Sequence, residues 1–181
     1  MVLVASYLLD TELLEKDIVT TLGRGNIKTG KRMFSEFKKR LAHVPETVLN
    51  YFVNSDYSTQ KQVAFYILCK THALIRDFVV EVIREKHLVY DYTLTDGDYI
   101  SFYRRKVQLH SELEAISELS KAKVKQVIFK MLEEATFIDS VKLKNIQPQI
   151  VDVTLQQLIK EDHKDWLKVF LMSDLDINNN N

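Results

Sequence analysis

Lysines and a glutamine are concentrated in residues 120–130, SKAKVKQVIFK. Lysine ammonium groups can neutralise backbone phosphates, and a glutamine amide can form hydrogen bonds with base edges. The candidate contact residues are Ser120, Lys121, Lys123, Lys125, Gln126 and Lys130. The sequence therefore indicates a nucleic-acid-binding helix, and the alternative is a core helix whose basic face is merely solvated.

The charge of the chain is zero overall but unevenly distributed. There are 25 Lys and Arg residues and 25 Asp and Glu residues among 181. Residues 24–40 contain seven basic residues and one acidic residue, and residues 104–130 contain seven basic and three acidic residues. Two basic islands in an acidic chain create local positive fields despite the neutral total.

The first basic island contains a phosphate-loop-like spacing in residues 25–31, GNIKTGK. A nucleotide-binding loop needs a hydroxyl residue next, to hold magnesium, and a preceding buried strand, whereas Arg32 and a helical pattern stand here. Nucleotide hydrolysis is therefore disfavoured. A helix N-terminus rich in cations can instead bind a backbone phosphate, with a plain basic turn as the alternative. The candidates here are Lys28, Lys31, Arg32 and Lys39.

No arrangement of side chains predicts catalysis or metal binding. The five histidines lack metal-ligand spacing, and Cys69 lies in an apolar run. Glu133 and Glu134 point about 100° apart on a helix, so they would not face one substrate together. We expect a non-enzymatic protein with no metal site and no cofactor.

The elements that position the lysines are predicted to be helical, since 4 Gly and 2 Pro are too few for an all-β fold. A helix over Tyr99–Leu109, capped by Asp98, precedes a short helix over Ser111–Ile116. A turn follows, Ser120 caps the basic helix, and residues 141–150, VKLKNIQPQI, alternate weakly. This order predicts a winged helix-turn-helix-like element with a small β-hairpin wing. The same pattern places Phe129 towards the outward face of the basic helix, and the alternative is that Phe129 packs under a neighbouring helix and partly covers that face.

The organisation predicted along the chain is an N-terminal helical region with the basic helix (1–92), a winged helix-turn-helix-like region with terminal helices (93–175) and a disordered tail (176–181). The most apolar segment, Val63–Leu88, is the candidate core. The longest apolar run, VAFYILC, is far shorter than the roughly 20 residues of a spanning helix. No signal peptide is indicated, so we expect a cytoplasmic protein without a membrane partner.

Residues 102–139, FYRRKVQLHSELEAISELSKAKVKQVIFKMLEEATFID, resemble the BrxA family of bacterial BREX phage-defence systems. The matching features are Glu112-Leu113, Ser120, Lys123, the QVIFKMLEEA run and Phe137-Ile138. Upstream, KTGKRMFSEFKKRL and ILCKTHALIRDFVVEVIRE occur in the expected order, so the resemblance covers most of residues 8–160. Thr136 stands where the family pattern leads us to expect glycine.

The resemblance implies a mainly α protein with a NusB-like helical bundle and helix-turn-helix elements. It further implies a non-enzymatic partner of double-stranded DNA in a defence system whose other subunits include a methyltransferase and ATPases. Two alternatives stay open. The chain can be a protein-interaction scaffold that holds other BREX subunits, or an RNA-binding NusB-like protein.

Overall fold

Helices form nearly all the regular structure of the chain. A computed structural model describes residues 1–10 and 12–179. The prediction of a mainly α protein is confirmed, and the described residues contain two isolated β-bridges but no strand. The backbone forms two compact units. Unit 1 contains Met1–His72 and Val151–Trp166, and unit 2 contains Ala73–Ile150 and the chain from Leu167 onward.

This division differs from the predicted boundary at residue 92. The chain leaves unit 1 at the helix break around His72 and returns to it at Val151. Sequence periodicity depends only on residues close together in the chain, so it could not predict that residues 151–166 belong to unit 1.

Unit 1 is an all-helical unit. Its helices are α1 Val2–Leu9, α2 Glu15–Leu22, α3 Ile27–Leu41, α4 Glu46–Asn54, α5 Tyr57–Thr71 and α11 Val153–His163, followed by the start of a 3₁₀ helix, Lys164–Phe170. Side chains cap three of them, because Asn26, Asp56 and Asp152 accept hydrogen bonds from amides of the first turns of α3, α5 and α11.

Gly30 explains the glycine spacing in the first basic island. It lies inside α3, where that helix crosses α2, and a Cβ there would lie 1.9 Å from the carbonyl oxygen of Val19. Gly25 adopts a positive φ of 87° in the turn between the two helices, a conformation that glycine accepts without strain. The GNIKTGK sequence is therefore a tight turn and a helix crossing rather than a phosphate loop.

Unit 2 contains the second basic island. Its helices are α6 Ala73–Phe78, a π-helical turn Val79–Ile83, α7 Arg84–Leu88, α8 Asp96–Leu109, α9 Ser111–Glu114, α10 Glu118–Glu134 and α12 Asp174–Asn179. Phe78, Tyr99, Phe102 and Phe129 form an aromatic cluster with ring centroids 5.1 to 6.4 Å apart. This cluster fixes α8 and α10 to the helical segment that ends at Phe78.

Two predicted helix caps are wrong by three residues. Thr95, not Asp98, caps α8, and the two residues form a reciprocal capping box in which Asp98 occupies the third helical position. Ser117, not Ser120, caps α10, because its hydroxyl accepts the hydrogen bond from the amide of Ser120 at 3.3 Å. Both errors arise because each segment contains two residues of cap type at capping-box spacing.

The chain after α10 does not form the predicted wing hairpin within residues 141–150. Thr136 takes a φ of 63° at the end of the helix, the conformation for which glycine was expected. Single antiparallel bridges then join Ile138 to Ile146 and Thr93 to Asn145. We call residues 139–145, which the bridge between Ile138 and Ile146 closes, the bridge loop. Pairing thus involves a segment before α8 as well as one after α10.

The end of the chain is ordered further than predicted. Residues 176–179 belong to α12, and Ile177 is buried at 3% exposure. Arg84, itself buried, donates hydrogen bonds to the carbonyl of Met172 and to the carboxylate of Asp174. The predicted disorder is therefore wrong for these four residues, whereas Asn180 and Asn181 lie outside the described residues.

Candidate nucleic-acid interface

The orientation of α10 decides which of its cations face solvent. Ile128, Phe129 and Leu132 are buried, and Phe129 is only 2% exposed. The predicted outward position of Phe129 is therefore wrong, because its ring packs against Phe78 and Tyr99 in the aromatic cluster. The helix is rotated accordingly, and Val127 is 38% exposed.

The rotation leaves a polar face on the opposite side of α10. Lys123, Gln126 and Lys130 are all exposed there, at the i, i+3 and i+7 spacing of one helix face. The ammonium of Lys123 donates to the side-chain oxygen of Gln126 at 3.0 Å. The ammonium of Lys130 pairs with Glu133, an exposed i, i+3 pair of the kind that a competing phosphate can displace at small cost. We call Lys123, Gln126 and Lys130 the outer face.

Lys121 and Lys125 lie on a different side of the helix. Their side chains are 27% and 29% exposed, and their ammonium groups pair with Glu118 at 2.8 Å and Asp96 at 3.0 Å. Lys125 also lies over the ring of Phe129, 5.9 Å from its centroid. The sequence does not distinguish the four lysines of this helix. The structure places Lys123 and Lys130 on the outer face, and it turns Lys121 and Lys125 towards α8.

Ser120 is exposed near the start of α10, one turn before the outer-face residues. Its amide donates to the Ser117 hydroxyl, and that hydroxyl lies 3.0 Å from the Ser120 hydroxyl. Ser120 is therefore available at the surface, but its predicted capping role belongs to Ser117.

The bridge loop adds a cation and an apolar side chain next to this helix. Lys142 and Leu143 are exposed, Leu143 at 62%. The Lys144 ammonium lies 3.2 Å from Asp96 and 5.8 Å from the Phe129 ring centroid. Asp96 thus links α8 to both α10 and the bridge loop, and the hydrogen bond from Lys125 holds the pKa of Asp96 below its usual value, with help from Lys144.

The ion pairs on α10 also shift the pKa values of the side chains that form them. A hydrogen bond from Lys130 lowers the pKa of Glu133, which accepts another from the amide of Val141, and the pKa of Lys130 is raised in turn. The Lys121 pKa is raised by its hydrogen bond with Glu118. The lysines with shifted pKa values on this helix therefore stay cationic throughout the physiological range.

The first basic island lies in unit 1, whereas α10 belongs to unit 2. Lys28, Lys31 and Arg32 are exposed in the first two turns of α3, and none forms an ion pair with another described residue. Lys39, further along α3, lies 3.7 Å from Glu36 and is 72% exposed. The predicted residues of α3 thus form their own basic surface.

Sequence reasoning missed a cavity in unit 2 between α8 and α10, of about 730 Å³. Its lining includes Tyr99 and Tyr103 with Arg104, and the i, i+4 spacing of the two tyrosines was the available signal. In the described part of the chain, no group of His, Cys, Asp and Glu side chains could hold a metal ion. Residues 1–10 and 12–179 also include no helix long and apolar enough to span a bilayer.

Comparison with known proteins relates the chain to two proteins described as BREX protein BrxA. The one from Bacillus cereus (strain H3081.97) is 26% identical over 132 residues, covering 72% of this chain and 66% of the relative. The one from Escherichia coli O9:H4 (strain HS) is 24% identical over 138 residues, covering 74% and 65%. The chain thus spans just under two thirds of the length of each relative.

A solved structure shares the fold. It is the crystal structure of an uncharacterized protein from Magnetospirillum magneticum, with a TM-score of 0.78 and 14% identity, covering 94% of this chain and 90% of that one. A family model described as BrxA matches residues 8–163. The resemblance found in the sequence is therefore confirmed, and the chain belongs to the BrxA family.

Proposed function

We propose that this protein is a non-enzymatic component of a BREX phage-defence system that binds double-stranded DNA through the outer face of α10. The observation that carries the proposal is the exposure of Lys123, Gln126 and Lys130 on one face of a 17-residue helix. Membership of a BREX system rests on the names of the two curated relatives. With duplex DNA as its partner, the protein would work in the cytoplasm.

The order of elements around α10 supports this function. Helix α8, the short helix α9 and α10 follow one another, and the bridge loop follows α10. A winged helix-turn-helix has the same order, with the second helix of the motif in the major groove and a wing beside it. The described residues contain two isolated β-bridges in place of a strand-paired wing, and Lys142 in the bridge loop is exposed. In this proposal Lys142 contacts the phosphate backbone beside α10.

The side chains available favour phosphate contacts over sequence reading. Gln126 is the outer-face residue suited to base edges, where a glutamine forms paired hydrogen bonds with adenine. The lysines act as point charges without sequence information. We therefore expect weak sequence preference and strong salt dependence, with a slope of log K against log salt of roughly −2.7 if the two outer-face lysines and Lys142 neutralise about three phosphates.

The direct test is a titration of a fluorescein-labelled duplex of about 20 base pairs with the purified protein, followed by anisotropy at several salt concentrations. The proposal expects saturable binding with the steep negative slope given above. Absence of binding at low salt would refute DNA binding. A duplex of scrambled sequence serves as the control, and we expect similar affinity for it.

A protein-interaction scaffold is the second candidate, and exposed apolar side chains favour it. Leu119 at the start of α10 is 86% exposed, and Leu143 in the bridge loop is 62% exposed. Contiguous exposed apolar patches mark interaction surfaces, and this candidate takes the two leucines as parts of one such patch. Retention of other BREX subunits after nuclease treatment, together with no binding of free duplex, would select this function over the first.

RNA binding is the third candidate, and the basic surface of α3 favours it. Lys28, Lys31 and Arg32 lie near the N-terminus of that helix, where unpaired amides add positive potential. The family resemblance implies a NusB-like bundle, and only this RNA-binding candidate depends on that implication. Competition between unlabelled RNA and duplex DNA for the labelled duplex distinguishes the two nucleic acids.

A further inference from the structure

The cavity in unit 2 has the size and lining of a small-molecule site. It lies along α8 and the first half of α10, with a volume of about 730 Å³, inside the range of about 300–1,000 Å³ typical of ligand pockets. Ile100, Val107 and Ala122 supply apolar lining, and Ile100 remains 44% exposed. An empty space of this size would leave apolar surface in contact with water.

Two stacked tyrosines form one wall. The rings of Tyr99 and Tyr103 are 6.0 Å apart with an interplanar angle of 27°. The Tyr103 hydroxyl donates to the carbonyl of Leu113 and so holds the chain around α9 to α8. The Tyr99 hydroxyl is buried and makes no hydrogen bond to a described residue. Such an unpaired buried donor costs free energy unless a ligand or water satisfies it.

Among the cations of the lining, one has no carboxylate partner in the described part of the chain. Arg104, Lys121 and Lys125 face two carboxylates, Glu114 and Glu118. Both lysines are already in ion pairs, whereas Arg104 is exposed and forms no ion pair with another described residue. An arginine guanidinium binds a carboxylate through two parallel hydrogen bonds, so a free arginine beside an aromatic wall suits an aromatic acid.

We propose that this cavity binds a small aromatic carboxylate, with the ring against Tyr103 and the carboxylate on the guanidinium of Arg104. The site is separate from the outer face, since the residues of α10 that line it are Glu118, Lys121, Ala122 and Lys125. The proposal therefore does not depend on DNA binding.

The probe for this site is 2-naphthoate, and its uncharged analogue 2-naphthamide is the matched ligand control. Binding to the full chain is measured by isothermal titration calorimetry and by saturation-transfer NMR of the probe. We expect a Kd for 2-naphthoate of about 1 mM or tighter, as suits a ligand of this size. The amide should bind at least about tenfold more weakly, because it lacks the charge that pairs with arginine.

Three variants locate the site. Arg104→Gln should weaken 2-naphthoate by at least about tenfold and leave 2-naphthamide unchanged. Val107→Trp should abolish binding of both by filling the cavity, with helical circular dichroism retained. Lys123→Gln removes a cation from the outer face and should change neither affinity.

Four results would overturn the proposal. They are no binding of 2-naphthoate up to about 10 mM, equal affinity for acid and amide, an unchanged affinity in Arg104→Gln, and an unchanged affinity in a folded Val107→Trp. None of these measurements contains nucleic acid, so failure here is distinguishable from failure of the proposed DNA binding.

Discussion

The sharpest test of the proposed DNA interface compares two pairs of lysines on the same helix. Lys123→Gln with Lys130→Gln neutralises the outer face. The double variant Lys121→Gln with Lys125→Gln neutralises the two lysines that pair with Glu118 of α10 and Asp96 of α8. Both double variants change the net charge by the same amount, so long-range attraction to the duplex falls equally in the two. Any difference in affinity must then come from the positions of the lysines.

The size of the effect follows from counterion release. Each phosphate contact contributes a slope of about −0.9 in log K against log salt, equivalent to about eightfold in affinity at 0.1 M salt. Loss of both outer-face contacts should therefore weaken binding by up to about 60-fold and reduce the slope by about 1.8. The ion pair of Lys130 with Glu133 must be broken on binding, which makes these upper values.

The assay is the anisotropy titration of a labelled duplex at several salt concentrations, with thermal melting of each variant as the control for folding. We expect the Lys121 and Lys125 variant to lose less than about threefold in affinity, because neither side chain is on the outer face. If the two double variants lost the same affinity, a specific interface on α10 would be refuted, and the net charge of the protein would account for the binding. An unchanged affinity after neutralising the outer face would refute this helix as the contact surface.

Four further outcomes follow from the packing and the ion pairs. Gly30→Ala should lower the free energy of unfolding by about 2 kcal/mol or more in urea denaturation, because its Cβ would collide with the facing carbonyl of α2 at 1.9 Å. Ser117→Ala should cost about 1 kcal/mol through loss of the α10 cap, whereas Ser120→Ala should change stability by less than about 0.5 kcal/mol; equal costs would contradict the cap assignment. Lys106→Met should cost about 3 kcal/mol at pH 7, because Lys106 is only 7% exposed and its ammonium is shared by two carboxylates that would be left facing each other. The hydrogen bond from Lys125 lowers the pKa of Asp96 in the folded protein, so the stabilisation by its carboxylate is present above the ordinary pKa of 3.8 and is lost as pH falls through the lower folded value. Asp96→Asn should therefore destabilise the protein at pH 6, and its difference from the wild type should shrink as pH falls below 3.8.

The order of elements was predictable because it depends on local signals. The short helix and the long basic helix follow from apolar periodicity and cap-type residues, and the structure contains both of them. The caps themselves were misplaced by three residues at Asp98 and Ser120, since each segment offers two cap-type residues three positions apart. The predicted wing hairpin is not found in the described residues, where two single bridges form and one of them pairs Asn145 with Thr93, which precedes α8.

The inward face of α10 was not predictable from its own sequence. Apolar residues lie on two sides of the helix, and periodicity cannot choose between Val127 and Phe129. The structure buries Phe129, because Phe78 and Tyr99 provide an aromatic site that fits its ring. That packing in turn places Lys123 and Lys130 on the outer face and turns Lys121 and Lys125 towards α8.

The sequence alone determined that the chain is helical, that its cations form two islands and that it resembles the BrxA family. Only the tertiary structure decided the role of Gly30, the return of Val151–Trp166 to unit 1 and the exposure of Lys123 and Lys130. The physical reason is that helix formation and capping depend on neighbours within about one turn. Which face is buried, and which cation is left to bind a partner, depends on side chains that are distant in the chain and meet only when it folds.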